Sequence, residues 1–220
     1  MSVRKVTGEE PRSNYNYGRR GNHIHSAQPE DFEDAYQLIT PAWEIGRPQR
    51  AFVNLAMMGK IRGRVLDMGC GTGEHVLMAA IIGLDAVGVD ASPTAIRIAE
   101  GKAHERGLRT TFLVSDVLLI DELDAQFDTV LDCGMFHNLA DENRPVFADR
   151  IHAVLRPGGR YFMLCFSDQR PRSGAARTIS QEEIHRTFSN GFRIDSIEPA
   201  LMEENASDDI PAWLARIIRI

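Results

Sequence analysis

Three cysteines in 220 residues, with no Cys-x-x-Cys pair among Cys70, Cys133 and Cys165, exclude a disulfide scaffold and a zinc ribbon. Positive charge is also scarce. Twenty-five lysines and arginines stand against 31 acids, a formal net charge of -6, and the basic residues are scattered rather than striped. That pattern lacks the electrostatic footprint of a nucleic-acid binder. The longest apolar run, Val76 to Leu84, falls well short of the roughly 20 residues that a membrane span needs. There is no apolar signal core near the N-terminus, no internal repeat and no low-complexity segment. The expectation is a reduced, cytoplasmic protein with neither nucleic acid nor membrane as partner. Its length suits one α/β domain and is too short for two.

What the chain does have is concentrated at the ends of apolar runs. Residues 65 to 73 read Val-Leu-Asp-Met-Gly-Cys-Gly-Thr-Gly, a short strand closed by an acid, then three alternate glycines before the helical run from Glu74. Gly69, Gly71 and Gly73 permit a sharp turn and a close approach of backbone to ligand. This loop is one residue shorter than the Gly-x-Gly-x-x-Gly that seats a dinucleotide pyrophosphate. Asp67 also places a carboxylate where a phosphate binder would avoid one, which suits a cationic ligand such as the sulfonium of S-adenosylmethionine (SAM). Two further acids close later runs: Asp90 after Ala86-Val87-Gly88-Val89, at ribose-binding spacing, and Asp116 after Thr111-Phe112-Leu113-Val114-Ser115. Phe127 to Asp132 reads as a fourth strand, and Leu155-Arg156-Pro157-Gly158-Gly159 as the turn into a fifth.

In this order, from about Arg47 onward, the motifs resemble those of the class I SAM-dependent methyltransferases. The resemblance implies a Rossmann-like, doubly wound α/β sheet of seven strands, mostly parallel with a C-terminal antiparallel hairpin strand, and helices on both faces. It implies SAM as cofactor, held by Asp67, Gly69, Cys70, Gly71 and Gly73. Asp90, with Ala91 and Ser92, is expected at the ribose, Asp116 at the adenine amino group and Val117 over the ring. Asp132 is expected at the methionine end or holding the loop after the fourth strand. Pro41-Ala42-Trp43-Glu44-Ile45-Gly46-Arg47-Pro48-Gln49 is similar to a Trp-Asp/Glu-x-Gly-x-Pro segment of thiol, halide and thiopurine methyltransferases and bacterial heterocycle methyltransferases. That likeness places Trp43 beside SAM. Residues 1–48 are expected to be an N-terminal extension and lid, and 49–220 the catalytic domain.

His137, in Asp132-Cys133-Gly134-Met135-Phe136-His137-Asn138-Leu139, is the candidate general base, since an imidazole titrates near neutral pH. The alternative is that it only orders its loop. His23 and His25 lack companions of metal-site spacing, so no metal is expected. Arg12, Tyr15 and Tyr17 are candidate lid residues, and the Arg-, Pro- and Ser-rich segment from Ser167 to Thr178 is a candidate substrate wall. Phe32, Ala35, Tyr36 and Ile39 recur at helical spacing and suit a cap over the cofactor. Ser180 and Glu183 read as a capping box. The expected activity is methyl transfer to a thiol, hydroxyl or ring nitrogen of a small aromatic or heterocyclic acceptor. The rivals are a SAM-binding protein that transfers no methyl and an NAD-dependent dehydrogenase, the latter opposed by the shorter loop and Asp116.

Overall fold

The computed structural model describes residues 29–169, 177–205 and 209–220. Arg12, Tyr15, Tyr17, His23, His25 and the middle of the Ser167–Thr178 segment therefore lie outside the described residues. Helices α1 (Pro29–Leu38) and α2 (Arg50–Met57) precede an alternation of β1 (Arg64–Met68), α3 (Glu74–Ile81), β2 (Asp85–Asp90), α4 (Pro93–Glu105) and β3 (Thr111–Val114). After a 3-10 turn at Val117–Leu123 come β4 (Phe127–Cys133), α5 (Arg144–Val154), β5 (Leu155–Phe166), α6 (Gln181–Thr187), β6 (Phe192–Met202) and β7 (Ile210–Arg219). The sheet order is β3-β2-β1-β4-β5-β7-β6, with β7 antiparallel to both β5 and β6. This is the expected seven-stranded Rossmann-like architecture.

Alternation along β5 shows how the sequence divides the core. Tyr161, Met163 and Cys165 join Phe147 and Ile151 of α5 on one face, whereas Phe162, Leu164 and Phe166 join the Phe52, Val76 and Ala99 side on the other. Strands buried on both faces read as continuous apolar runs, which is why the parallel strands were legible. The β6–β7 hairpin is longer than the expected Phe192–Ile197 and Ala212–Ile220. Beyond Ile197, β6 reads Glu-Pro-Ala, which carries no strand signal, yet Glu198 to Met202 still pair with β7. Pro199 is tolerated because β6 is the edge strand and has a partner on one side alone. The capping box forms: Ser180 Oγ accepts the Glu183 N–H and the Glu183 carboxylate accepts the Ser180 N–H.

The strand order reverses between β1 and β4, and ligands of open parallel sheets bind at the carboxyl ends beside such a switch point. Asp90 is the last residue of β2, Asp132 the last but one of β4, and Asp116 follows β3 by two residues.

Candidate active site

Gly69, Gly71 and Gly73 adopt positive φ of 64°, 51° and 86°. A Cβ at Gly71 would lie 2.6 Å from Tyr36 Oη, and one at Gly73 would strike the Phe112 ring at 2.7 Å, so neither position accepts a side chain. The loop is held by Asp90, whose Oδ2 accepts the Gly71 N–H and whose Oδ1 accepts the Ser92 N–H, both at 2.8 Å. Burial pushes the Asp90 carboxyl up to about 6, against those two hydrogen bonds. Each oxygen keeps a lone pair for a further donor.

Beyond the loop lies a cavity of about 430 Å³. Gly69, Cys70, Gly71, Asp90, Ala91, Asp116, Val117, Trp43 and His137 all line it. Asp67, Gly73, Ser92 and Asp132 do not: they sit behind its wall. Ser92 caps α4, its Oγ accepting the Ala95 N–H. Asp116 caps the turn after β3 by accepting the Leu118 N–H at 2.9 Å. Asp132 Oδ1 accepts the Met135 N–H at 2.8 Å and its Oδ2 accepts the Tyr161 hydroxyl at 2.7 Å, so its carboxylate braces the loop under His137. Complete burial raises the Asp132 carboxyl to about 7 despite these bonds.

Asp67 is 1% exposed, and among the described residues neither of its oxygens has a hydrogen-bond partner. His75 accepts the Gln49 N–H at Nε2, which leaves its proton on Nδ1, 3.7 Å from Asp67 Oδ2. An uncompensated carboxylate beneath a glycine loop, with no phosphate-binding cation on that loop, fits a phosphate-free cationic ligand.

The opposite wall is a cap of α1 and residues 41–49. Trp43 meets Phe32 and Tyr36 edge to face at 5.9 and 6.2 Å, and its Nε1–H donates to Tyr36 Oη at 3.0 Å. Among the described residues, carboxylates at Glu33, Glu44 and Glu203 fasten the cap. Glu33 accepts from Ser92 Oγ, Thr94 Oγ1 and Thr94 N–H, and although burial opposes it these bonds pull its carboxyl down to about 2. Glu44 accepts the Thr72 hydroxyl at 2.5 Å, while Lys102 Nζ reaches Thr72 Oγ1 at 2.6 Å and Glu74 Oε1 at 2.9 Å. Glu203, in the turn after β6, pairs with Arg47 and Arg50, and its backbone N–H and C=O both bond the Gln49 amide. Tyr36 takes the place in the cap that its helical spacing predicts, whereas no motif singles out Glu44, Thr72, Lys102 or Glu203 as part of the site. The i,i+4 spacing of Phe32 and Tyr36 is the signal that pointed to the cap.

His137 sits on a 3-10 turn, Phe136–Asn138, and is 6% exposed. Its ring stacks on Phe166 with centroids 4.1 Å apart, and its Nδ1 accepts the Phe166 N–H at 3.2 Å.

A methyltransferase-domain family profile matches residues 65–159. The chain is 37% identical over 184 residues to 2-heptyl-1-hydroxyquinolin-4(1H)-one methyltransferase of Mycobacteroides abscessus, covering 79% of this chain and 81% of that one. It is 28% identical over 170 residues to a probable thiol methyltransferase 2 of Arabidopsis thaliana, covering 76% and 75%. A solved structure, described as the conversion of a disulfide bond into a thioacetal group during echinomycin biosynthesis, superposes with a TM-score of 0.80 at 34% identity, covering 87% of this chain and 93% of that one. The chain belongs to the class I SAM-dependent methyltransferases. SAM is its cofactor, and the dehydrogenase alternative falls away.

Proposed function

We propose that the enzyme methylates a thiol, hydroxyl or ring nitrogen of a small, flat aromatic or heterocyclic acceptor. The observation that carries this reading is the cavity itself: its cap and far wall bring Phe32, Trp43, Ile45, Met135, Phe166 and Met202 around a space of about 430 Å³. Such walls suit a ring rather than a polymer backbone. Asp90 would hold the ribose, Asp116 and Val117 the adenine, and the backbone from Gly69 to Gly71 the methionine end. Bound there, SAM supplies an electrophilic methyl on a cationic sulfur. The chain's own work is to align the acceptor and exclude water, which the 29–48 cap does when the Glu33, Glu44 and Glu203 fastenings are closed. The relative from M. abscessus, named for a hydroxyquinolone, supports a heterocyclic acceptor. The free thiols of Cys70, Cys133 and Cys165 support a reducing, cytoplasmic setting.

The test is incubation with SAM and a panel of thiols, phenols, hydroxyquinolines and halides, read by mass spectrometry. Methylation of flat ring acceptors is expected. SAM binding with no methylated product anywhere in the panel would contradict the reading.

A further inference from the structure

The turn carrying His137 fixes which ring nitrogen holds the proton. Nδ1 accepts a backbone N–H from Phe166, the last residue of β5, a donor that cannot rotate away. Flipping the ring would set a carbon against that N–H and lose the bond. The stacked Phe166 side chain, inclined by 12°, holds the imidazole plane. Asp132 and Tyr161 brace the loop from beneath, and Gly134 N–H is tied to Leu164 C=O at 2.9 Å. An imidazole that accepts at Nδ1 is neutral and carries its proton on Nε2. General-base catalysis through Nε2 needs the other tautomer, which would aim an Nδ1–H at the Phe166 N–H in a buried site and leave that amide without an acceptor.

We infer that His137 is a hydrogen-bond donor to an acceptor atom that arrives already ionised. This rests on the methyl-transfer reading above and narrows its substrate class to acidic hydroxyls and thiols on flat rings: N-hydroxy heterocycles, heteroaromatic thiols and electron-poor phenols. For such an acceptor a lone pair of the anion forms the bond to the methyl carbon as the carbon–sulfur bond breaks toward sulfur. Both partners end neutral and no proton is removed. His137 therefore keeps its Nε2 proton throughout, holding the anion in line. It is a catalytic residue by contact with the acceptor and not by proton transfer. A neutral ring nitrogen fits less well, because the Nε2–H would cover the lone pair that must attack.

The test uses the whole chain, wild type and the variants His137→Gln and His137→Phe, with a 1-hydroxyquinolone and a nitrophenol that ionise near neutral pH. A matched unactivated phenol, ionising at about 10, completes the set. Gln keeps an N–H donor without a basic nitrogen, and Phe removes the donor. In kcat/KM, His137→Gln is expected within about tenfold of wild type, and His137→Phe a further 10- to 100-fold lower. The second readout needs no turnover: with S-adenosylhomocysteine present, the absorbance of the bound acceptor reports its ionisation. Wild type is expected to favour the anion roughly 10- to 100-fold more than His137→Phe does. Equal loss in His137→Gln and His137→Phe would overturn the donor role. So would wild-type methylation of the unactivated phenol as fast as of the ionised acceptors, a result that stands even if the variants fold poorly. If nothing is methylated while the absorbance difference persists, the methyl-transfer reading fails and the donor assignment survives.

Discussion

Asp90 carries a pH dependence that can be worked out from its surroundings. In the free enzyme burial raises its carboxyl to about 6, and both oxygens are already committed to backbone N–H groups. Ribose hydroxyls would donate to the remaining lone pairs and so favour the charged form, giving the complex a lower pKa than the free enzyme. The sign follows. Above about 6 the carboxylate is ready and affinity is flat, whereas below it binding must expel a proton, so SAM affinity falls by up to about tenfold per pH unit as pH decreases. Asp90→Asn removes the titration. It also removes charge-assisted bonds on the order of 1.5 to 3 kcal/mol, about 10- to 150-fold in dissociation constant at neutral pH. The amide can accept only one of the Gly71 and Ser92 N–H groups and presents its NH2 to the other, so the variant also loses stability, by about 1 to 3 kcal/mol. Isothermal titration of SAM from about pH 8 to about pH 5, in wild type and Asp90→Asn, reads both effects. A wild-type dissociation constant that stays level through pH 6, or a folded Asp90→Asn protein with wild-type affinity and the same pH profile, would overturn the ribose-binding role of Asp90.

Asp132→Asn should leave the SAM dissociation constant within about threefold of wild type, because that side chain braces the His137 loop behind the cavity wall; titration checks it, together with a fall in turnover. Its raised carboxyl, about 7, means that the folded state binds more protons than the unfolded one between the ordinary carboxylate range and about 7. Wild-type stability should therefore decline as pH rises through that window, and Asp132→Asn should flatten the decline in urea melts. Lys102→Met should release Thr72 and Glu44 while Glu74 keeps Arg106, loosening the cap and weakening SAM binding by about tenfold, read as a faster dissociation rate in stopped-flow fluorescence of Trp43. An unchanged rate would show that Lys102 does not hold the cap.

The sheet and the cofactor edge were legible because parallel strands advertise themselves as apolar runs closed by acids, and because three glycines at alternate positions have few other uses. The direction each acid faces was not. Asp90 and Asp132 both end central strands, yet one lines the cavity and the other turns beneath a loop to meet Tyr161, 29 residues later. That depends on strand register, which no local motif records. The amphipathic spacing predicts the cap helix, but its fastenings join residues 28 to 156 positions apart, such as Thr72 to Glu44 and Arg47 to Glu203. The Nδ1 of His137 accepts a backbone N–H of β5, a partner that no reading of its own segment reveals.

We propose that one cavity holds SAM on Asp90 and Asp116 and presents a flat acceptor to His137. A crystal structure of the enzyme with S-adenosylhomocysteine and an ionised 1-hydroxyquinolone tests it most directly. The ribose hydroxyls should lie on Asp90 and the acceptor oxygen within hydrogen-bond distance of His137 Nε2, in line with the sulfur. An acceptor seated outside the cap, or a ribose remote from Asp90, would contradict the claim.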